Sequence, residues 1–252
     1  MKKDRLQKSL EIFGLQAVID AVHEGKEFDK IFMEKGLNTG LAMELRALLK
    51  EHNIMFKAVP VEKLNRLTHK EHQGVFAFVS PVNFYKLGDV LMQTYEDGKS
   101  PIFLMLDRVT DVRNFGAIAR TAESCGVNAI ILPKVGGAQL NSDAMKTSTG
   151  ALMHIPICRE QNLHHSLKYL KKSGLKVIAC TEKTDTNLYD VPFVDPVVIV
   201  MGSEEDGISE DILELADAKT RIPIFGKTES LNVSVASAVI LYEAIRQRQL
   251  EN

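Results

Sequence analysis

Apolar positions in the first eighty residues change period several times. Leu15, Val18, Ile19 and Val22 recur at helical spacing, and Gly25 stands where a helix C′ glycine belongs. Residues 30–33 read as a strand, 41–50 as a strong helix and 54–59 as a second strand. Pro60 suits the first turn of a helix over 61–67. The run 74–79, Gly-Val-Phe-Ala-Phe-Val, reads as the strand that closes this block. These elements predict a small α/β module over residues 1–80. Residues 81–100, with Gly88, Gly98 and a short helical pattern around 87–95, read as a linker that also carries the first helix of the next domain.

From Pro101 the pattern alternates strand and helix. Strands are expected at 102–106, 129–132, 175–180, 197–201 and 220–224, with a weaker one at 155–158. Helices are expected at 115–124, 142–152, 163–172, 210–218 and about 232–249. That rhythm predicts an α/β domain over 101–252 built on a mainly parallel sheet. On the last helix, Val235, Ala238, Val239, Tyr242 and Ile245 mark the expected apolar face.

Composition changes this picture little. With 45% apolar and 25% charged residues the 252-residue chain is ordinary for a globular protein, which excludes disordered and collagen-like classes. No apolar run is long enough to cross a bilayer, and residues 1–14 lack the apolar core of a secretory signal. Cys125, Cys158 and Cys180 lie far apart, so neither a disulfide framework nor a cysteine zinc site is expected, and a reducing cytoplasm is the expected compartment. Net charge is −2, with residues 1–80 slightly positive and the remainder slightly negative. Any nucleic-acid surface must therefore be local.

Several common chemistries fail on inspection. No Gly-x-Gly-x-x-Gly follows a strand, and Gly226-Lys227-Thr228 has Arg221 where a P-loop requires its first glycine. His164 and His165 are adjacent and cannot share a helix face, so no metal site is expected. There is no Gly-x-Ser-x-Gly elbow.

Three segments remain, each placed after a predicted strand. The first runs from Asp107 through Asn114 and Gly116 to Arg120. Asn114 is placed to cap a helix whose buried stripe is Phe115, Ile118, Ala119 and Ala122 and which ends at Gly126. Arg120 falls off that stripe and points outward, as ordinary surface arginines do. The second is Met201-Gly202-Ser203-Glu204-Glu205-Asp206-Gly207-Ile208-Ser209. Three acids in a row usually mark a solvated turn, and Ser209 suits an N-cap. Yet the loop follows a wholly apolar strand, at the carboxyl edge where open α/β sheets bind ligands. The third runs from Arg221 to Ala236, where Ser230 is a candidate cap for the last helix and Asn232 has no evident structural task.

In this order and spacing the trio resembles the three motifs of the SpoU/TrmH-type RNA ribose 2′-O-methyltransferases of the SPOUT class. Asn114-x-Gly116-x-x-x-Arg120 matches the first motif and Met201-Gly202-Ser203-Glu204 with Gly207 the second. Ile222-Pro223 through Ser230-Leu231-Asn232-Val233-Ser234-Val235-Ala236 matches the third. The likeness covers residues from about 101 to 249. The first block, with Phe13-Gly14 and His72-Gln73-Gly74-Val75, is similar to the ribosomal-protein-like substrate-binding domain of the 23S rRNA guanosine 2′-O-methyltransferases. Those enzymes have Gly-Glu where this chain has Glu205-Asp206.

The resemblance implies a C-terminal trefoil knot, a rare exception to the rule that chains do not thread loops. It also implies an RNA substrate-binding domain over 1–80, a homodimer formed through the C-terminal domain, and no membrane or metal partner. S-adenosylmethionine is the implied cofactor, contacted by Gly202, Ile222 and Leu231, with Thr181 as a further candidate. Glycine at 202 reads as room for close backbone approach to that ligand. The implied catalytic set is Arg120 as base or phosphate clamp, Asn114 and Glu204 as orienting groups, and Ser230 and Asn232 as hydrogen-bonding partners of ribose or cofactor. The implied reaction methylates a ribose 2′-OH, that of a guanosine in 23S rRNA. Action on tRNA or another rRNA nucleotide, and a catalytically silent RNA-binding assembly factor, stay open as alternatives.

Overall fold

The computed structural model describes residues 11–80 and 82–251. Residues 1–10 of the expected first domain, Pro81 of the expected linker and Asn252 lie outside the described residues. The chain divides into two compact units between Asn83 and Phe84, with Leu140–Ser142 counted in the first.

The first unit contains strands β1 (Glu11–Phe13), β2 (Phe28–Glu34), β3 (Lys57–Val59) and β4 (Val75–Val79), and helices α1 (Leu15–His23), α2 (Gly40–Glu51) and α3 (Val61–Leu67). Its sheet order is β1-β4-β2-β3, antiparallel except for the β2–β3 pair. Alternation along β4 sends Val75 and Ala77 against Val18, Ile19, Leu45 and Leu49, while Phe76 packs with Phe32, Val59 and Leu64. Strand β1 is absent from the sequence reading because three residues are too few to show a period. It forms where Phe13 pairs with Phe76, their rings stacked 6.5 Å apart.

The His72-Gln73-Gly74 turn has a local cause. Gln73 (φ +50) and Gly74 (φ +78) are both left-handed. The turn brings Gln73 Oε1 to accept the Leu15 N–H at 3.2 Å, satisfying the start of α1, where Gly14 has no side chain to do so.

The second unit contains α4 (Leu87–Glu96), β5 (Ile102–Leu106), α5 (Val112–Ser124), β6 (Ala129–Pro133), α6 (Ser142–Thr147) and β7 (Ile157–Glu160). It continues with α7 (Leu163–Lys172), β8 (Lys176–Cys180), β9 (Val197–Met201), α8 (Glu210–Leu213), β10 (Ala218–Thr220) and α9 (Val233–Glu251). Sheet order is β10-β8-β9-β5-β6-β7, and every pair is parallel. Phe103 and Met105 pack with Leu87, Leu91, Leu163 and Leu167. The alternate residues Ile102, Leu104 and Leu106 are equally buried, so both faces are covered, as a parallel sheet requires. Leu106, Met201, Cys180 and Thr220 pair in one row. The residues immediately after them, Asp107, Gly202, Thr181 and Arg221, therefore share the carboxyl edge.

Several expectations need correction. β3 and β7 start two or three residues later than the sequence suggests. The helix expected over 142–152 stops at Thr147, because Thr149 (φ +53) and Gly150 (φ +90) are left-handed. Helix α8 ends at Leu213 rather than 218. Its chain leaves early so that Asp217 can exchange two hydrogen bonds with Val177, both 2.8 Å long. Strand β10 occupies Ala218–Thr220 instead of 220–224, since Pro223 has no N–H to give a ladder. Helix α9 buries Val233, Ser237, Ile240, Leu241 and Ala244. Of the face expected to be buried, Val235 and Tyr242 are 50% and 58% exposed, while Ala238, Val239 and Ile245 are half-buried. Among the described residues, no helix is long and apolar enough to cross a membrane.

Candidate active site

The site is built where the ends of β5 and β9 meet the start of α9. Asp111, not Asn114, caps α5, its carboxylate accepting the Asn114 N–H at 2.7 Å. That leaves the Asn114 amide free to face the second motif, where it donates to Glu204 Oε1 at 3.2 Å. Asn232 donates to Asn114 Oδ1 at 3.1 Å and also to Glu204 Oε1. The Val233 N–H reaches the same oxygen at 3.1 Å. Asn114, Glu204 and Asn232, one from each motif, thus form a single hydrogen-bonded group. All three donors fall on Oε1, and among the described residues none reaches Oε2. The carboxylate lies at the N-terminus of α9, where unpaired N–H groups and the helix dipole favour negative charge.

Asn232 also supplies the cap that Ser230 was expected to give. Its Oδ1 accepts from the N–H of Ser234 at 3.0 Å and from the Ser234 hydroxyl, and its carbonyl accepts the Ala236 N–H at 2.9 Å. Ser230 is exposed and has no hydrogen-bond partner among the described residues.

Gly202 has a local reason besides the one expected. A Cβ there would run into the carbonyl of Gly207 and the nitrogen of Ile208, so the fold of its own loop already demands glycine. Paired hydrogen bonds between Ser203 and Gly207, 3.2 and 3.1 Å, close that loop around Glu204. Gly116 works similarly on α5, where a Cβ would sit 2.7 Å from Thr147 Cβ and 2.9 Å from the Ala144 carbonyl oxygen.

Arg120 does not join the group. It stands six residues after Asn114, about 9 Å along α5 and roughly 120° round it. Its side chain is exposed and unbonded among the described residues. Arg113, seven residues earlier and also exposed, shares its face. Of the expected cofactor contacts, Thr181 is buried just beyond β8, its N–H bonded to the Thr220 carbonyl at 2.9 Å. Ile222 is half-buried beyond β10, and Leu231 is exposed. Burial pushes the Cys180 thiol, also at this edge, up to about 12, which favours its protonated form.

Sequence reasoning passed over Asp107, which is buried and whose Oδ2 accepts the Ser209 N–H at 2.7 Å. The available signal was a charged pair, Asp107-Arg108, directly after a wholly apolar strand.

The profile described as SpoU rRNA Methylase family matches residues 101–242, and that described as RNA 2′-O ribose methyltransferase substrate binding matches residues 12–85. The chain belongs to the SpoU methylase family. It is 34% identical over 251 residues to slr0955 of Synechocystis sp., an uncharacterized tRNA/rRNA methyltransferase, covering 98% of this chain but only 65% of that protein's length. It is 32% identical over 237 residues to YacO of Bacillus subtilis, which carries a TrmH family tRNA/rRNA methyltransferase name, covering 94% of this chain and 95% of YacO. An AdoMet-bound rRNA methyltransferase from Sinorhizobium meliloti superimposes with a TM-score of 0.60 at 25% identity, over 98% of this chain and 90% of that one.

Proposed function

We propose that this chain is an S-adenosylmethionine-dependent RNA methyltransferase that modifies a ribose 2′-OH, that of a guanosine in 23S rRNA. The observation that carries the reading is the Asn114–Glu204–Asn232 group, which joins all three motifs at one place. The ribose assignment is supported by the substrate-binding match over residues 12–85, and the cofactor by the AdoMet-bound relative. The residues present fit that cofactor. The loop after β10 leaves Phe225 and Leu231 uncovered, 96% and 38% exposed. Gly202, Ile222 and Leu231, with Thr181, would hold it there, an apolar surface suiting an adenine ring.

The cofactor, when bound, supplies an activated methyl group. The protein's part is alignment of the ribose oxygen and management of its proton. Glu204 Oε2 and the amides of Asn114 and Asn232 are the groups that orient the sugar, with Ser230 reaching in from the loop. Arginine side chains hold their proton so firmly that Arg120 acts as a base only after handing it to an RNA phosphate; otherwise it clamps that phosphate. Arg113 on the same face favours the clamp.

The trefoil knot belongs to the same proposal. It is supported by hydrogen bonds of 3.0 and 2.8 Å that tie Arg221 to Thr186 and Leu188, linking the chain after β10 to the chain after β8. So does the homodimer, supported by the uncovered Val235–Tyr242 face of α9. A cytoplasmic location follows from an RNA substrate together with three free thiols.

Two measurements test the reading. Mapping 2′-O-methyl groups in total RNA from cells with and without the protein is expected to show one 23S guanosine losing its mark. A change confined to tRNA moves the substrate, and no change anywhere defeats the enzymatic reading. Arg120→Ala is expected to abolish single-turnover methyl transfer while calorimetry shows cofactor still binding; near-normal turnover removes Arg120 from the mechanism.

A further inference from the structure

We propose that Arg108 is a positioning residue, which with Asp107 clamps the Gly202–Ser209 loop so that Glu204 meets the reaction in one orientation. The proposal deepens the functional reading above and rests on it. Arg108 directly follows β5 and has φ +57, a left-handed conformation that side chains other than glycine and asparagine seldom adopt. Such strain persists only where the surroundings over-determine it, and it collects at functional sites.

The contacts show what over-determines it. Arg108 Nη2 donates to the Gly207 carbonyl at 3.1 Å, and Nη1 faces Asp206 Oδ2 at 3.4 Å. The ion pair is exposed and contributes little. The hydrogen bond to a partly buried carbonyl holds the loop, because that same oxygen accepts the Ser203 N–H that closes the turn around Glu204. Asp107 secures both ends of the loop. Its N–H donates to the Met201 carbonyl at 2.8 Å and its carboxylate accepts from Ser209. Points before, beside and after Glu204 are thus tied to two consecutive residues.

Arg108 carries a second cost. Its Nε is buried without a hydrogen-bond partner, 3.5 Å from Asp107 Oδ2. Stability alone would favour glycine at 108.

Arg108→Gly removes the guanidinium and keeps the backbone conformation. Single-turnover methyl transfer is expected to fall about ten-fold. Cofactor affinity stays unchanged, and the melting temperature holds or rises as the strain is released. Amide exchange at Ser203 and Gly207 speeds up, and Arg108→Lys recovers part of the rate. A residue with only a structural role would lower rate and melting temperature together. Full transfer by Arg108→Gly, or unchanged exchange in the loop, overturns the clamp. If the wild-type chain transfers no methyl group to ribose, the functional reading fails instead. Exchange then decides alone: lost protection upholds the clamp and unchanged protection ends it.

Discussion

Glu204 collects three donors on one carboxylate oxygen, so its position depends on two side chains and the first N–H of α9 at once. The loop that carries it depends in turn on having no Cβ at 202. Gly202→Ala is expected to cost roughly 1–3 kcal/mol, the range for overpacking a filled site, and to abolish methyl transfer. A lowered urea midpoint checks the first part; wild-type stability would show that the Gly207 carbonyl yields easily. Asn114, Glu204 and Asn232 entered as site candidates only through the motif resemblance, since each alone reads as an ordinary cap or solvated loop residue. Their partners were not legible. Capping preference treats asparagine and aspartate alike, and only the fold shows that Asp111 holds α5 while Asn114 is released for Glu204.

Among elements, α9 shows most clearly where periodicity fails. Its first half carries apolar residues on several sides and its second half is rich in Glu, Arg and Gln, so its pattern does not choose a face. Its rotation is fixed by polar anchors remote in sequence. Asn232 and Glu204 hold the start, while Gln247 and Arg248 hold the end. Gln247 accepts the Phe193 N–H at 2.9 Å, and Arg248 donates to the carbonyls of Phe193, Ser100 and Asp195 at 2.9, 2.6 and 2.6 Å. The central strands were legible because burial on both faces gives continuous apolar runs. Short edge elements such as β1 and β10 owe their existence to a neighbour. The outer face of α9 carries the expectation for the homodimer. Replacing Val235 and Tyr242 together by glutamate should leave the far-ultraviolet circular dichroism intact and convert dimer to monomer in sedimentation. A dimer that survives places the interface elsewhere.

At the scale of the molecule, each unit has its own apolar core. Under the proposed division of labour, deleting residues 1–80 is expected to weaken RNA binding in a filter assay and leave calorimetric cofactor binding as it was. Loss of cofactor affinity would contradict that division. A change of rhythm near residue 100 suggests two units, but the division falls at Asn83/Phe84 and nearly all of the expected linker belongs to the second unit; the proposed knot would leave no periodic trace and entered only through motif resemblance. The site itself spans 118 positions of chain between Asn114 and Asn232. Translation delivers Asn114 first, Glu204 much later and the amide that completes the group later still. A nascent polypeptide stalled before Asn232 lacks two of the three donors that fix the Glu204 carboxylate, so under the proposed reaction a half-made enzyme is inert toward the RNA of the very ribosome producing it.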